Sequence, residues 1–430
     1  MQVQLYKVKV TDTDSEFDGQ LVDIVITDGI ITDIHKTTKA GEKKPFSLKS
    51  GDETLELNEE VSISPGWVDI FADYREPGYE HKETLETGMA AAAAGGYTDV
   101  LVLPGTDPVT STKSAVQYII NRSTGNIVNL HPTGAATQKA EGKELAEMLD
   151  MYTNGAIAFT DGWKPIQNAG LMLKVLEYVK SFDGTILQMP VDTALSAGGL
   201  MNEGIISTSL GMPGIPVLAE TLMIYRDIEL LRYTGSKLHI TGVSTAEGID
   251  MIRNAKAEGL SLTCSVTPYH LALTEDALTT YHSAYKVTPP LRGEADRQAL
   301  ITAINDGTID CIATHHRPHE WDAKTKEFEY AADGMAIQEL CLNILCTALP
   351  NKTRLAALLA HNPRKIFGLP ACTITKGSNA AFTLYTTEGT TTLPADKRKS
   401  MGMNNPFLGK ELAGRVTGIC NNGKLNLNKQ

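Results

Sequence analysis

Residues 64–104 read SPGWVDIFADYREPGYEHKETLETGMAAAAAGGYTDVLVLP, and this stretch decides the fold. Gly66–Asp73 is a short apolar run of the kind that forms a buried strand. A helical stretch, His81–Ala94, follows and stops at Gly95-Gly96, because glycine enters the left-handed conformation that ends helices without a Cβ clash. A second apolar strand, Thr98–Pro104, comes next. Strand, helix, strand is the repeating unit of parallel sheets, since a parallel neighbour is reached only through a long crossover.

The same alternation runs downstream. Strand cores are expected at Ile127–Pro132, Ala156–Asp161, Thr185–Pro190, Lys237–Val243, Leu260–Val266 and Ile309–Thr314. Helices are expected at Glu144–Tyr152, Pro216–Tyr233, Thr245–Glu258, Glu294–Asp306 and, after the last strand, Met335–Ala348. Eight strands, each followed by helix-like sequence, predict a closed α/β barrel of the (β/α)8 TIM type. An open doubly wound sheet is the competing arrangement, but no G-x-G-x-x-G turn follows the first strand.

The flanks read differently. Leu21–Ile26 and Ile30–Ile34 surround Asp28-Gly29, a hairpin signal. Lys36–Asp52, rich in Lys, Gly and Ser, predicts an exposed loop. After His361-Asn362-Pro363, Ala380–Thr386 and Gly414–Asn421 are β-like again. The expectation is a small composite β-sandwich from 1–63 and 370–430, set against a barrel of 64–369.

Bulk properties exclude several classes. The 430 residues are 42% hydrophobic and 21% charged, an ordinary globular balance. No apolar run approaches the length of a membrane span, and MQVQLYKVKV at the N-terminus lacks the apolar core of a signal peptide, so a cytoplasmic protein is expected. With 51 acidic against 39 basic residues the net charge is −12, which repels phosphate backbones and argues against nucleic acid as a partner. Six cysteines without a C-x-x-C pair read as reduced thiols. His131 and His361 stand alone and read as structural residues.

A set of short landmarks now adds to this reading. Ser64-Pro65-Gly66-Trp67-Val68-Asp69, Arg75-Glu76-Pro77-Gly78, Gly155–Asp161, Thr267-Pro268-Tyr269-His270, Pro289-Pro290-Leu291-Arg292, Asn362-Pro363 and Asn405-Pro406-Phe407 occur in this order. In sequence and order they resemble the dihydroorotases of the amidohydrolase superfamily, nearly end to end. The resemblance implies one or two divalent metals, zinc among them, at the C-terminal ends of the barrel strands, where they activate a water for attack on a cyclic amide.

Position by position, the chain departs from that pattern. The family's first-strand H-x-H places two histidines on one face of a strand; here Phe71-Ala72-Asp73 stands instead. The fourth-strand aspartate is kept as Asp161. The fifth- and sixth-strand histidines are replaced by Gln188 and Gly242. The eighth-strand D-H-x-P-H reads His315-His316-Arg317-Pro318-His319. Phe71, Gln188 and Gly242 are therefore lost ligand positions, while Asp73, Asp161 and His315 retain groups able to bind a metal. Among substrate contacts, Arg75 and His319 remain, Arg292 completes P-P-L-R, and the family's asparagines are replaced at Gly105 and Thr288.

Three readings follow. In the first, no catalytic residue and no cofactor remain, and the chain is a non-catalytic subunit. The resemblance implies aspartate carbamoyltransferase as its partner, in a homodimer or a mixed oligomer. In the second, Asp73, Asp161 and His315 form a rebuilt single-metal site for cyclic-amide hydrolysis; against it stands a plain Asp73–His315 ion pair filling the space. In the third, Arg75, Arg292 and His319 hold an anionic pyrimidine precursor without turning it over. Arg75 is also readable as a structural partner of a nearby carboxylate.

Overall fold

In the computed structural model, residues 2–37, 46–51 and 53–428 are described. Eight parallel strands run in sequential order: Trp67–Ala72, Tyr97–Val102, Asn129–Gly134, Ala158–Phe159, Ile186–Gln188, Leu238–Thr241, Leu262–Val266 and Cys311–Ile312. The first and last are joined by a parallel bridge from Ala72 to His316 and by the Asp73 amide donating to the His316 carbonyl at 2.9 Å. Asp69 strengthens the seam: its carboxylate accepts from the Thr314 amide and hydroxyl and from Gln338 Nε2. The expected (β/α)8 barrel is therefore present, and each expected strand overlaps an observed one.

Strand alternation gives the barrel two apolar faces. Val68, Ile70, Leu101, Leu103, Ala158, Leu187, Cys311 and Ala313 form one buried cluster within the barrel, with Phe367. Val100, Val102, Phe159, Ile186, Ile240 and Val266 belong to the other, which the surrounding helices cover. The helix over Leu85–Gly95 begins later than expected because Thr84 caps it, accepting from the Thr87 amide. It ends at Gly96 (φ 94°), where a Cβ would lie 2.7 Å from the Trp67 ring. Helices Lys113–Ser123 and Ala169–Lys180 stand between the second and third and the fourth and fifth strands.

The two ends of the chain meet in one nine-stranded sheet. Gln2–Val10 is its branch point. One edge pairs with Leu21–Thr27; the other pairs with Phe46–Ser50 along Val3–Tyr6 and with Val61–Pro65 along Val8–Val10. Val61–Pro65 continues to Phe382–Thr392, then Glu411–Asn421 and Lys424–Leu427. The loop expected at Lys36–Asp52 is corrected: Ile30–Lys36 is strand up to its last residue, and Phe46–Ser50 is a further strand. Phe46 and Leu48 alternate into the core at 2% and 0% exposure, a two-residue period hidden in a Lys- and Ser-rich stretch. Residues 38–45 and 52 of that stretch lie outside the described residues. Among the described residues no helix is long and apolar enough to cross a membrane.

Candidate functional site

The barrel mouth is filled by side chains of the chain itself. The first strand shifts register between Asp69 and Ala72, and Phe71, which follows Ile70, also joins the interior cluster. Its ring stacks on His315, with centroids 4.3 Å apart and planes 28° apart. Trp163 packs edge-on against both, at 5.2 Å from Phe71 and 5.4 Å from His315. It arrives from the turn after the fourth strand, where Gly162 takes φ 62°. Its indole N–H donates to Asp73 Oδ2 at 2.7 Å, and Arg75 Nε lies 2.9 Å from the same oxygen.

His315 occupies room that Gly242 leaves. A Cβ at Gly242 would lie 2.5 Å from His315 Cε1, and Gly242 itself has φ 74°. His315 has φ 49°, a left-handed conformation that a non-glycine residue holds only under constraint. Its Nε2 lies 2.8 Å from Thr241 Oγ1. Ser265 Oγ donates to that hydroxyl at 2.9 Å and also lies 3.0 Å from His239 Nε2; His239 Nδ1 ends the chain on Thr263 Oγ1 at 2.8 Å. Burial holds the His315 pKa well below its ordinary value, with His270, His239 and Arg317 adding to the effect. Burial likewise pushes His239 down to about 3. These are neutral imidazoles joined by hydroxyls.

The expected Asp73–His315 ion pair is thus corrected. The partner of Asp73 is Arg75, and His315 is neutral, because a fully buried imidazole near the Arg317 charge is disfavoured from taking a proton. The reading of Arg75 as a structural partner of a carboxylate fits: Arg75 also donates to the Gly105 carbonyl at 3.0 Å, where the family pattern would have a substrate-facing asparagine.

Asp161 is turned to other work. Its Oδ1 accepts from the Thr137 amide at 2.9 Å and its Oδ2 from the Thr137 hydroxyl at 2.5 Å. Burial nevertheless raises its pKa to about 6, so near neutrality its charge is weakly held. Gln188 Nε2 donates to the Ile166 carbonyl at 3.2 Å. The single-metal set of Asp73, Asp161 and His315 is therefore corrected as well. Among the described residues the group with three ligand atoms within 4.8 Å of one another is Asp12, Asp14 and His361, away from the barrel mouth. The residues at the mouth do not fit the family's metals: aromatic rings occupy the centre, and the remaining carboxylates are bonded to an arginine, an indole and a threonine.

The three anion-binding candidates separate. Arg292 donates to Ser244 Oγ at 3.1 Å, Asn202 Oδ1 at 2.7 Å and the Ile215 carbonyl at 3.2 Å, and lies 3.7 Å from Glu220. It lines a cavity of about 160 Å³ with Pro190, Val191, Thr288, Pro289 and Asp333. Arg75 belongs to the Asp73 cluster. His319 Nε2 lies 2.8 Å from the Asp333 carbonyl, while its Nδ1 is buried without a partner. Burial and the Arg317 charge push His319 down to about 3.

Sequence reasoning singled out neither Trp163 nor Thr137 nor Thr241. The available signal for Trp163 was a large aromatic two residues after a retained ligand position, in a Gly turn at the mouth. Arg317 was visible only as the variable position between two family histidines; its guanidinium stacks over Trp163 at 4.4 Å. His131 and His361 do not stand alone: each faces a carboxylate. His131 Nε2 is 2.9 Å from Asp99 and His361 Nε2 is 3.3 Å from Asp12.

A (β/α)8 barrel with polar groups at its C-terminal mouth is an architecture many families share, and the comparisons supply the family. The family described as "Dihydro-orotase-like" matches residues 61–248. A protein named dihydroorotase from Syntrophus aciditrophicus is 39% identical over 421 residues, 97% of each chain. One from Acetivibrio thermocellus is 38% identical over 422 residues, covering 97% of this chain and 96% of the other. The chain belongs to the dihydroorotase-like family. In fold it is similar to the L-hydantoinase of Arthrobacter aurescens, with a TM-score of 0.82 at 21% identity over 99% of this chain and 97% of that one.

Proposed function

We propose that this chain is a non-catalytic dihydroorotase-family subunit of pyrimidine biosynthesis, with aspartate carbamoyltransferase as its partner. The observation that carries this reading is the Phe71–His315–Trp163 ring cluster, packed where the family's metals and activated water belong. A barrel kept whole while its centre is filled by its own side chains is what selection for shape rather than chemistry leaves.

A second feature supports association. The helix Leu218–Thr234 is apolar on its inner side, yet its solvent side carries Leu218, Leu222, Tyr225 and Tyr233 at 54%, 44%, 57% and 78% exposure. They stand beside the exposed ion pair of Glu229 and Arg232, and several large apolar side chains on one exposed helix face are ordinarily covered. A homodimer or a mixed oligomer with the carbamoyltransferase supplies such a cover.

The test is metal content of the purified chain by elemental analysis, run beside dihydroorotate hydrolysis with added zinc. The expected result is substoichiometric metal, no turnover, and co-elution with purified aspartate carbamoyltransferase. About one metal per chain, lost on Asp161→Ala, or measurable turnover overturns the non-catalytic reading; failure to co-elute overturns the partner. Restoring Phe71→His and Asp73→His together is expected to recover neither metal nor turnover, because Gln188, Gly242 and His315 still lack the family's ligands. Hydrolysis by that double variant sinks the argument.

A further inference from the structure

Above the plugged centre three cationic side chains meet, on a chain whose net charge is −12. Arg317 is held by its backbone: its amide donates to the Met335 carbonyl at 2.9 Å and its carbonyl accepts from Asn404 Nδ2 at 2.8 Å. Its side chain rests on the Trp163 face at 4.4 Å. Its Nε is buried without a hydrogen-bond partner, and among the described residues the guanidinium meets no acceptor. Gly334 (φ 127°) makes the seat possible, because a Cβ there would lie 2.8 Å from the Arg317 stem.

Arg75 and Lys82 lie close enough to Arg317 to repel its charge or feel its repulsion. Arg75 is engaged by Asp73 and the Gly105 carbonyl. Lys82 reaches Glu320 only at 3.7 Å. His319, in the same field, keeps a buried Nδ1 without a partner. Three cations here face the carboxylates of Asp73, Glu320 and Asp333, and Asp333 Oδ2 already accepts from the Thr288 hydroxyl. Of the three, Arg317 alone has neither an ion pair nor a side-chain hydrogen bond among the described residues.

We propose that Arg317 is the anchor of an oxyanion site over the closed mouth, taking a small carboxylate or phosphate ligand with Lys82 at its flank. The planar fork of an arginine matches either group in a bidentate pair, and stacking on Trp163 fixes the fork before a ligand arrives. The site rests on the non-catalytic reading in one respect: the ligand binds above Phe71 and Trp163 and does not enter the barrel. It differs from the arrangement the family pattern implies, in which the arginine at position 75 takes the carboxylate. Here that arginine is already paired.

Isothermal titration of the full-length protein with inorganic phosphate and, separately, with malonate, in low-salt buffer, tests the assignment. Saturable binding of at least one probe is expected, weakened by added salt. Arg317→Met is expected to weaken it at least about tenfold, the scale of one charge-assisted bidentate contact. Arg317→Lys, which keeps the charge and loses the fork, is expected to weaken it by less, and guards against misfolding of the methionine variant. Arg75→Met is expected to change it less than about threefold, because Arg75 is ion-paired with Asp73 and donates to the Gly105 carbonyl. The stronger of the two probes identifies the ligand's acid group. No saturable binding of either probe, or binding lost in Arg75→Met and intact in Arg317→Met, overturns the proposal. Metal content and turnover, measured apart, decide the non-catalytic reading without touching this one.

Discussion

The two ends of the barrel handle buried charge in opposite ways. At the floor, Asp99 Oδ2 accepts from Thr98 and Arg364 and its Oδ1 from Asn129 and His131. Arg364 spends its remaining donors on the carbonyls of Gly66 and Pro370 and on Thr98. Burial opposes ionisation of Asp99, but His131 and Arg364 outweigh it and hold the carboxyl well below the usual range. At the mouth, Asp73 Oδ1, His315 Nδ1, His316 Nε2, Arg317 Nε and His319 Nδ1 are buried without hydrogen-bond partners, His316 Nε2 lying 3.5 Å from Glu83. Unsatisfied buried groups are costly. Such groups also occur elsewhere, at Tyr97 Oη, Ser236 Oγ and His361 Nε2, but the mouth gathers five of them on neighbouring residues, whereas Asp99 and Arg364 at the floor are fully bonded.

Breaking the floor should have the largest effect. Arg364→Met leaves Asp99 buried with three of its four partners and without its arginine, and is expected to cost about 3–5 kcal/mol, read as a lower denaturant midpoint. The equivalent cut at the mouth, Arg317→Met, is expected to cost less than about 1 kcal/mol, since no hydrogen bond is lost. Equal losses would erase the contrast.

The next test sharpens the packing account. Gly242→Ala forces a Cβ against His315 at a left-handed position and is expected to cost roughly 2–4 kcal/mol. His315→Ala in the same chain should return part of that loss, because the clash disappears with the ring. Additive losses in a double-mutant cycle would mean that the two residues do not share the space.

Acid should act on the mouth first. His315, His239 and His319 have folded pKa values lowered from an unfolded value of about 6.5. Their contribution is present above that value and is lost as pH falls toward the folded values, because the unfolded chain then binds more protons. Each contributes a slope of up to about 1.4 kcal/mol per pH unit between pH 6 and 4. Thermal unfolding midpoints across that range check it, and a flat profile counts against neutral histidines at the mouth.

The smallest effect is expected at the junction of the terminal sheet and the barrel. The Asp12 hydrogen bond raises the His361 pKa against partial burial, with the Asp12 and Asp14 charges assisting. That pair stabilises fully below the unfolded value of about 6.5 and fades as pH rises through the raised one. Asp12→Asn should cost about 1 kcal/mol at pH 6 and less at pH 9. A larger loss at pH 9 than at pH 6 would reverse the assigned sign.

The sequence by itself determined the elements and the family. Apolar runs of strand length, helical stretches and the Gly95-Gly96 stop are local patterns, and the landmark tetrapeptides keep their order along the chain. It also displayed the departures from the family pattern at Phe71, Asp73, Gln188, Gly242 and His315. Only the tertiary structure decided what those changes did. Trp163 reaches Asp73 across 90 residues, and Thr241 meets His315 across 74. Such contacts depend on barrel closure, which no local period encodes. The choice between an Asp73–His315 pair, a metal set and a ring plug turned on which groups met in a dry interior. There desolvation favours neutral imidazole, and stacked rings fill the volume that Gly242 leaves free.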